Sequence, residues 1–230
     1  MTPSRPTRLQ PASEIARHAH VGAYATLVLS GAYEEAGDTG RFKVTEGDVL
    51  IHAPFSAHRD IVARANTLVL DLPLPFDARD WPARATLRRP EMILAAARRD
   101  AREAASLLIE DLAANARAEA DLPDILARDL SGDPSLAIAR WSEDHGVSRA
   151  TAWRQFSAAY GVDVAAYRAE ARARQAWRMI AATRDALAHI AFAAGFSDQP
   201  HMSRAVKALT GRTPGQWRAT LVQDGAGAAV

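Results

Sequence analysis

The feature that most constrains this chain is a pattern written twice between residues 136 and 211. In the first copy Leu136-Ala-Ile-Ala-Arg-Trp141 reads as a helix and His145-Gly-Val147 as a tight turn. Ser148 then caps a second helix running through Arg149-Ala-Thr-Ala-Trp-Arg-Gln-Phe156 to Tyr160-Gly161. In the second copy Ala186-Leu-Ala-His-Ile-Ala191 is the helix and Ala194-Gly-Phe196 the turn. Ser197 or Asp198 caps a helix through His201-Met-Ser-Arg204 to Leu209-Thr-Gly211. A glycine at the end of the first helix permits the left-handed conformation that redirects the chain, and the apolar neighbour (Val147, Phe196) fills the angle between the helices. Each copy is therefore expected to be a helix-turn-helix. Its second helix buries Phe156 in one unit, Met202 and Val206 in the other, and leaves Arg154 and Arg204 outward, where they can enter a major groove.

Between the copies, Asp163 to Thr183 reads as one helix of 21 residues. At about 1.5 Å per residue it spans roughly 31 Å, close to the roughly 34 Å between successive major-groove faces on one side of B-DNA. One chain is thus expected to read two adjacent grooves. Charge agrees with this. The net charge of +1 conceals an asymmetry, because Ser131–Thr220 carries twelve Lys and Arg against seven Asp and Glu, and the remainder sixteen against twenty. The basic half is the candidate polyanion binder, and eleven of its twelve cations are arginine, whose planar fork suits phosphates and guanine edges. Pro214 is expected to start a last short helix capped by Thr213.

The amino-terminal part has a different character. From about 18 to 72 short β-rich runs (Tyr24–Ser30, Arg41–Val44, Val49–Ile51, Thr67–Leu70) alternate with Gly-marked turns, which predicts a small antiparallel barrel or sandwich. Leu72-Pro-Leu-Pro75 and Trp81-Pro82 end the pattern. Glu91 to Arg128 then turns to Ala, Leu, Arg and Glu at helical spacing, a place for either a surface helix or a dimer interface. With 48% hydrophobic residues the chain can bury a sizeable core. It has no cysteine, which excludes disulfides, thiolate metal sites and a cysteine nucleophile. The first residues, MTPSRPTRLQ, lack the apolar stretch of a signal peptide, so a soluble cytoplasmic protein without membrane association is expected.

Three stretches together resemble the DNA-binding domain of the AraC/XylS family of transcriptional regulators: Gly146-Val-Ser-Arg-Ala-Thr-x-Trp-Arg-Gln-Phe156, Ile190-Ala-Phe-Ala-Ala-Gly-Phe-Ser-Asp-Gln-x-His-Met-Ser-Arg204 and Gly211-Arg-Thr-Pro-Gly-Gln-Trp-Arg218. The amino-terminal stretches Leu27–Glu35 and Gly47–His58 resemble the small cupin domain that precedes it in many such proteins. Carried over position by position, the resemblance implies that Arg149, Ala150, Thr151, Trp153 and Arg154 of the first unit, and Gln199, His201 and Arg204 of the second, face DNA. Arg154 and Arg204 are the first choices for guanine readout, with phosphate contact the plainer alternative. Pro200 replaces the polar residue often found there. Trp141, Phe156, Ile190, Phe196, Met202 and Trp217 are expected in the core.

His18, His20 and His58 resemble the metal-binding histidines of catalytic cupins, but the carboxylate expected after the second histidine is missing. Tyr24 sits near its place, Glu34 or Glu35 substitutes only if strand geometry turns it inward, and His52 is read as surface. No cofactor is expected, with a divalent metal in the barrel the alternative. The whole is read as a cupin-like β-barrel sensing or dimerisation domain (1–85), a helical connector with a candidate dimer interface (86–130), an all-α double helix-turn-helix domain (131–222) and a flexible tail (223–230). The expected function is that of a sequence-specific transcriptional regulator, not an enzyme, controlled by a small-molecule effector. Its partners are double-stranded DNA, a second copy of the chain and RNA polymerase. Two rivals are a regulator whose first domain only dimerises and a metal-dependent cupin enzyme.

Overall fold

The structure is a computed structural model that describes residues 3–75, 81–114 and 120–226. The chain divides into two compact units, residues 1–125 (with 158–161 grouped there) and 126–157 with 162–230.

Among the described residues, the first unit holds ten strands in two antiparallel sheets. Strands β1 (Thr7–Leu9), β8 (Thr67–Pro73), β3 (Tyr24–Ser30), β6 (Asp48–His52), β9 (Arg84–Leu87) and β10 (Leu112–Ala114) form a six-stranded sheet in that order; β2 (Glu14–Ala19), β7 (Ala57–Val62), β4 (Ala32–Gly37) and β5 (Gly40–Thr45) form a four-stranded one. The sheets do not close, so the expected barrel is an open sandwich instead. Strand parity explains the packing. Val28, Leu50 and Val69 of the larger sheet meet Tyr33 and Val44 of the smaller one. The alternate residues Ala25, Leu27, Val49, Ile51, Leu70 and Leu72 face the other way and pack on α1 (Pro90–Ala97) and α2 (Ala101–Asp111) through Ile93, Ala96, Ala104, Ala105 and Leu108. Both faces of β6 are therefore covered, and its five residues are all buried.

The stretch 86–130, expected to be a helical connector, thus contributes two strands and two helices to the first unit's own fold. Asp100 caps α2 by accepting from the Arg102 and Glu103 amides. Helix α3 (Leu122–Gly132) spans the point in sequence where the units divide.

The second unit continues with α4 (Ile138–Asp144), α5 (Arg149–Tyr160), α6 (Val164–Ala182), α7 (Leu187–Ala193), α8 (Gln199–Thr210) and α9 (Pro214–Ala226). Trp141, Phe156, Ile190, Phe196, Met202 and Trp217 are all buried, as their helical spacing implied. Helix α6 is the spine. Tyr167 meets Phe156 edge-on at 5.1 Å between centroids, and Trp177 meets Trp217 at 6.0 Å. Thr213 and Gln216 close a capping box at the start of α9. That helix runs through residues 223–226, which were expected to begin a tail, and 227–230 lie outside the described residues.

Candidate functional site

The two turns are built alike. Gly146 (φ 65°) and Gly195 (φ 77°) take the left-handed conformation that closes α4 and α7. One residue later, the Val147 amide donates to the Ser142 carbonyl at 3.0 Å and the Phe196 amide to the Ala191 carbonyl at 2.9 Å. The next helix is then capped. The Ser148 hydroxyl accepts from the Thr151 amide at 3.0 Å, and the Asp198 carboxylate accepts from the His201 amide at 2.6 Å. That bond holds the Asp198 carboxyl below its ordinary range. Of the two caps considered for α8, Asp198 is the one used. Pro200 falls in the first turn, where no amide is needed.

Burial at every fourth residue fixes which side of each helix faces out. Ala152, Phe156 and Tyr160 point inward on α5, and Met202, Val206 and Thr210 on α8. This leaves Arg149, Ala150, Trp153 and Arg154 exposed on the first helix and Gln199, His201 and Arg204 on the second, while Thr151 is half-buried with its hydroxyl accepting from Ser148. Among the described residues Arg149, Arg154 and Arg204 make no hydrogen bond or ion pair. Three solvated guanidiniums on outward helix faces are suited to a polyanion that supplies the missing acceptors. Trp153, on the same helix as Arg149 and Arg154, is 41% exposed.

Both outward helices hang from α6. It has 19 residues, is capped by Asp163, and so spans roughly 28 Å. Arg168 and Arg172 donate to the Leu136 and Pro134 carbonyls ahead of α4, fixing one end to the first helix-turn-helix; Trp177 and Trp217 fix the other. The spacing expected from sequence shortens by a turn end on each side but stays near one groove repeat.

In the first unit the sandwich interior changes from apolar to polar at one end. Three directly opposed strand pairs build this pocket: Tyr24 with His52, His18 with His58, and Glu35 with Asp60. The Tyr24 hydroxyl lies 2.9 Å from His58 Nε2, and the Tyr24 and His52 rings stack at 4.2 Å. His58 Nδ1 is 3.1 Å from Asp60 Oδ1 and 3.3 Å from Glu35 Oε2. His18 Nδ1 is 2.9 Å from the Ala16 carbonyl. His20 enters from just beyond β2, held by the Phe55 amide donating to its carbonyl at 2.9 Å. Phe55 is a buried non-glycine residue at φ 59°, a conformation that costs on the order of 1–3 kcal/mol and here serves the tight β6–β7 passage.

Electrostatics sort these groups. Burial lowers the His58 pKa, but hydrogen bonds with Asp60 and Glu35 outweigh it and push it up to about 10. Burial pushes Glu35 up to about 7 against the opposing pull of His58. Burial, with the neighbouring His58, drives His52 well below the ordinary imidazole range and lowers His20. His20 and His52 are thus neutral at pH 7, and the Nε2 of each is buried with no hydrogen-bond partner. Orphaned imidazole nitrogens of this kind have the donor chemistry of transition-metal ligands.

The structure therefore brings His18, His20 and His58 together, with ligand atoms within 4.8 Å of one another, and does the same for Glu35, His52 and His58. His52 is 5% exposed, which corrects the surface assignment. Parity was the available signal, since Asp48, Leu50 and His52 alternate with the helix-facing Val49 and Ile51. Glu35 is turned inward and supplies a carboxylate; Glu34 is only partly buried. Asp60 went unnoticed.

Two helix-turn-helix units on one connecting helix define the class of the second unit, a double helix-turn-helix DNA-binding domain. Residues 141–220 match the family model described as a helix-turn-helix domain. No curated protein matches the chain. Among solved structures it is similar to an AraC-type transcriptional regulator from Chromobacterium violaceum (26% identity, TM-score 0.39, covering 43% of this chain and 89% of that one). It is also similar to the C-terminal domain of the response regulator AraT from Geobacillus stearothermophilus (20% identity, TM-score 0.40, 44% and 86% covered). ToxT K231A from Vibrio cholerae aligns over 95% of this chain and 97% of its own at 9% identity and TM-score 0.44. Residues 141–220 therefore carry the helix-turn-helix domain that the family model describes. Among the described residues no helix is long and apolar enough to cross a membrane.

Proposed function

We propose that the chain is a sequence-specific regulator that reads two successive major grooves with one protomer and is controlled by an effector bound in the amino-terminal sandwich. The observation that carries the first half is the joint mounting of α5 and α8 on α6, each with exposed, unpaired arginines. Arg154 and Arg204 read guanine edges, Arg149 and Gln199 contact phosphate or base margins, and His201, Trp153, Thr151 and Ala150 shape the fit to the groove. In this reading the chain acts in the cytoplasm as a homodimer and touches RNA polymerase at the promoter. It needs no catalytic group.

The second half rests on the polar pocket. A domain that only dimerises gains nothing from buried imidazoles whose nitrogens lack partners, because each such group costs about 1–3 kcal/mol. A sensing domain recovers that cost when its ligand binds. The test is binding of the full chain to duplexes selected from a random library, with and without candidate effectors. Selective binding modulated by a ligand is expected. Selective binding that no ligand changes would favour the purely dimerising role.

A further inference from the structure

We propose, on the reading that one protomer spans two successive grooves, that Arg172 is a positioning residue. Its guanidinium is a strut between the segment leading into the first reading head and the turn of the second, and it sets the half-site spacing that the chain accepts. Arg172 stands near the middle of α6. Its Nη2 donates to the Pro134 carbonyl at 3.2 Å, in the stretch between α3 and α4. The same group also lies against Gly195. A β-carbon at Gly195 would stand 3.5 Å from Arg172 Nε, 3.9 Å from Cδ and 4.0 Å from Cζ, and these are its three nearest neighbours. Gly195 is the left-handed residue that closes α7 and turns the chain towards α8. One planar side chain therefore touches both heads.

The first end of the strut is firm. The Asp133 carboxylate accepts from the Ser135 amide at 2.8 Å, and the Leu136 amide donates to the Asp133 carbonyl at 3.1 Å. The Ser135 bonds, helped by the nearby Arg168 and Arg172, hold the Asp133 carboxyl below its ordinary range. Arg168, one turn earlier on α6, donates to the Leu136 carbonyl at 2.8 Å but is not among the atoms nearest Gly195. It shares the anchoring of the lead-in and not the contact with the second turn.

The second end is a packing contact. Arg172 Nε is buried with no hydrogen-bond partner. A buried donor left unpaired is a poor filler, because an apolar side chain of similar shape avoids its desolvation. The contribution of the guanidinium is therefore geometric: its plane gives the Gly195 turn one seat relative to Pro134. The tolerance at that seat is small. B-DNA has about 10–10.5 base pairs per turn, so one added base pair rotates the second half-site by about 34–36°. A head free to pivot by that amount would accept both spacings, whereas a head held by the strut accepts one.

The test uses the full-length chain and a two-half-site duplex that it selects from a random library, remade with the spacer one base pair longer and one shorter. Fluorescence anisotropy gives the ratio of the affinity at the selected spacing to that at the shifted spacings. Arg172→Met, which keeps the reach of the side chain but removes the bond and the planar group, should lower this ratio by about 2- to 12-fold, the equivalent of one hydrogen bond. A duplex carrying one half-site should bind as before. Arg168→Met loses a matching bond without touching Gly195 and should keep the wild-type ratio. Arg172→Lys retains the charge and one donor for Pro134 and should fall between; circular dichroism checks folding, and this variant carries the test if Arg172→Met does not fold. An unchanged ratio in the Arg172 variants, or an equal fall in Arg168→Met, overturns the strut. A loss of the same size on every duplex, with the salt dependence reduced by about one counterion, makes Arg172 a phosphate contact and overturns it as well. A wild-type ratio of one refutes the two-groove reading and the strut with it, whereas a spacing-dependent wild type with unaltered variants refutes the strut alone.

Discussion

Inserting two alanines into α6 after Arg174 should uncouple the two reading heads while leaving each one folded. The insertion point lies between the contacts that fix the first helix-turn-helix (Tyr167 with Phe156, Arg168 and Arg172 with the carbonyls before α4) and those that fix the second (Trp177 with Trp217). An α-helix turns about 100° and rises about 1.5 Å per residue. Two residues therefore rotate α8 by about 200° relative to α5 and move it only about 3 Å, which turns the second head away from the face the first is reading. The loss is that of bivalent binding. Linking two modules raises affinity by about 10²- to 10⁴-fold over either alone, so a two-half-site duplex should lose a factor in that range. A duplex carrying one half-site should bind as before. Fluorescence anisotropy on duplexes selected by the wild-type chain measures both. A four-alanine insertion is the internal control: it rotates the head by about 400°, nearly a full turn, and should recover part of the affinity despite the larger displacement of about 6 Å. If the two-alanine variant bound two-site DNA like wild type, or if loss grew steadily with insertion length, rigid coupling through α6 would be refuted.

Arg154→Ala and Arg204→Ala should each cost about 1–3 kcal/mol on a selected duplex and much less on random DNA, measured by competition anisotropy; equal losses on both would make them phosphate contacts. Met202→Ala removes a fully buried side chain beneath α8 and should destabilise the protein by about 2–5 kcal/mol in urea unfolding, a cost well above that of changing exposed Gln199. Gly195→Ala places a β-carbon on a residue at φ 77° with no close contact in its way, so backbone strain alone should cost about 1–2 kcal/mol. A neutral result in thermal unfolding would mean that the turn relaxes.

Why some of this was readable and some not follows from the range of the forces involved. The helix-turn-helix units are local devices, in which cap, αL glycine and four-residue apolar spacing sit within a few turns of each other. Ser148, Gly146 and Phe156 could be assigned from their neighbours alone, as could Thr213 before α9. The sandwich is built from distant pairings. Strand β7 reads Ala57-His-Arg-Asp-Ile-Val62, whose polar inward residues disguise it as a loop until β2 and β4 are set beside it. The same disguise hid His52, because a histidine following an apolar run looks like a strand end at the surface rather than the next inward residue. His18, His20 and His58 were legible by likeness of spacing, whereas Glu35 depended on strand direction and Asp60 on the register that sets it opposite Glu35. The connector was misjudged for a related reason. Alanine-rich helices carry the same pattern whether they join two domains or lie on a sheet, and only the contacts of Ala96, Ala104 and Leu108 with the strands distinguish the cases.

The central claim is that one protomer reads two adjacent major grooves on one face of DNA. Hydroxyl-radical and guanine-methylation protection on a duplex selected by the full chain, compared with a scrambled duplex of equal composition, tests it most directly. The account predicts protection of two windows about one helical turn, roughly 10 base pairs, apart on the same face, with one window lost in Arg204→Ala and the other in Arg154→Ala. A single protected window, or two windows on opposite faces, would contradict it.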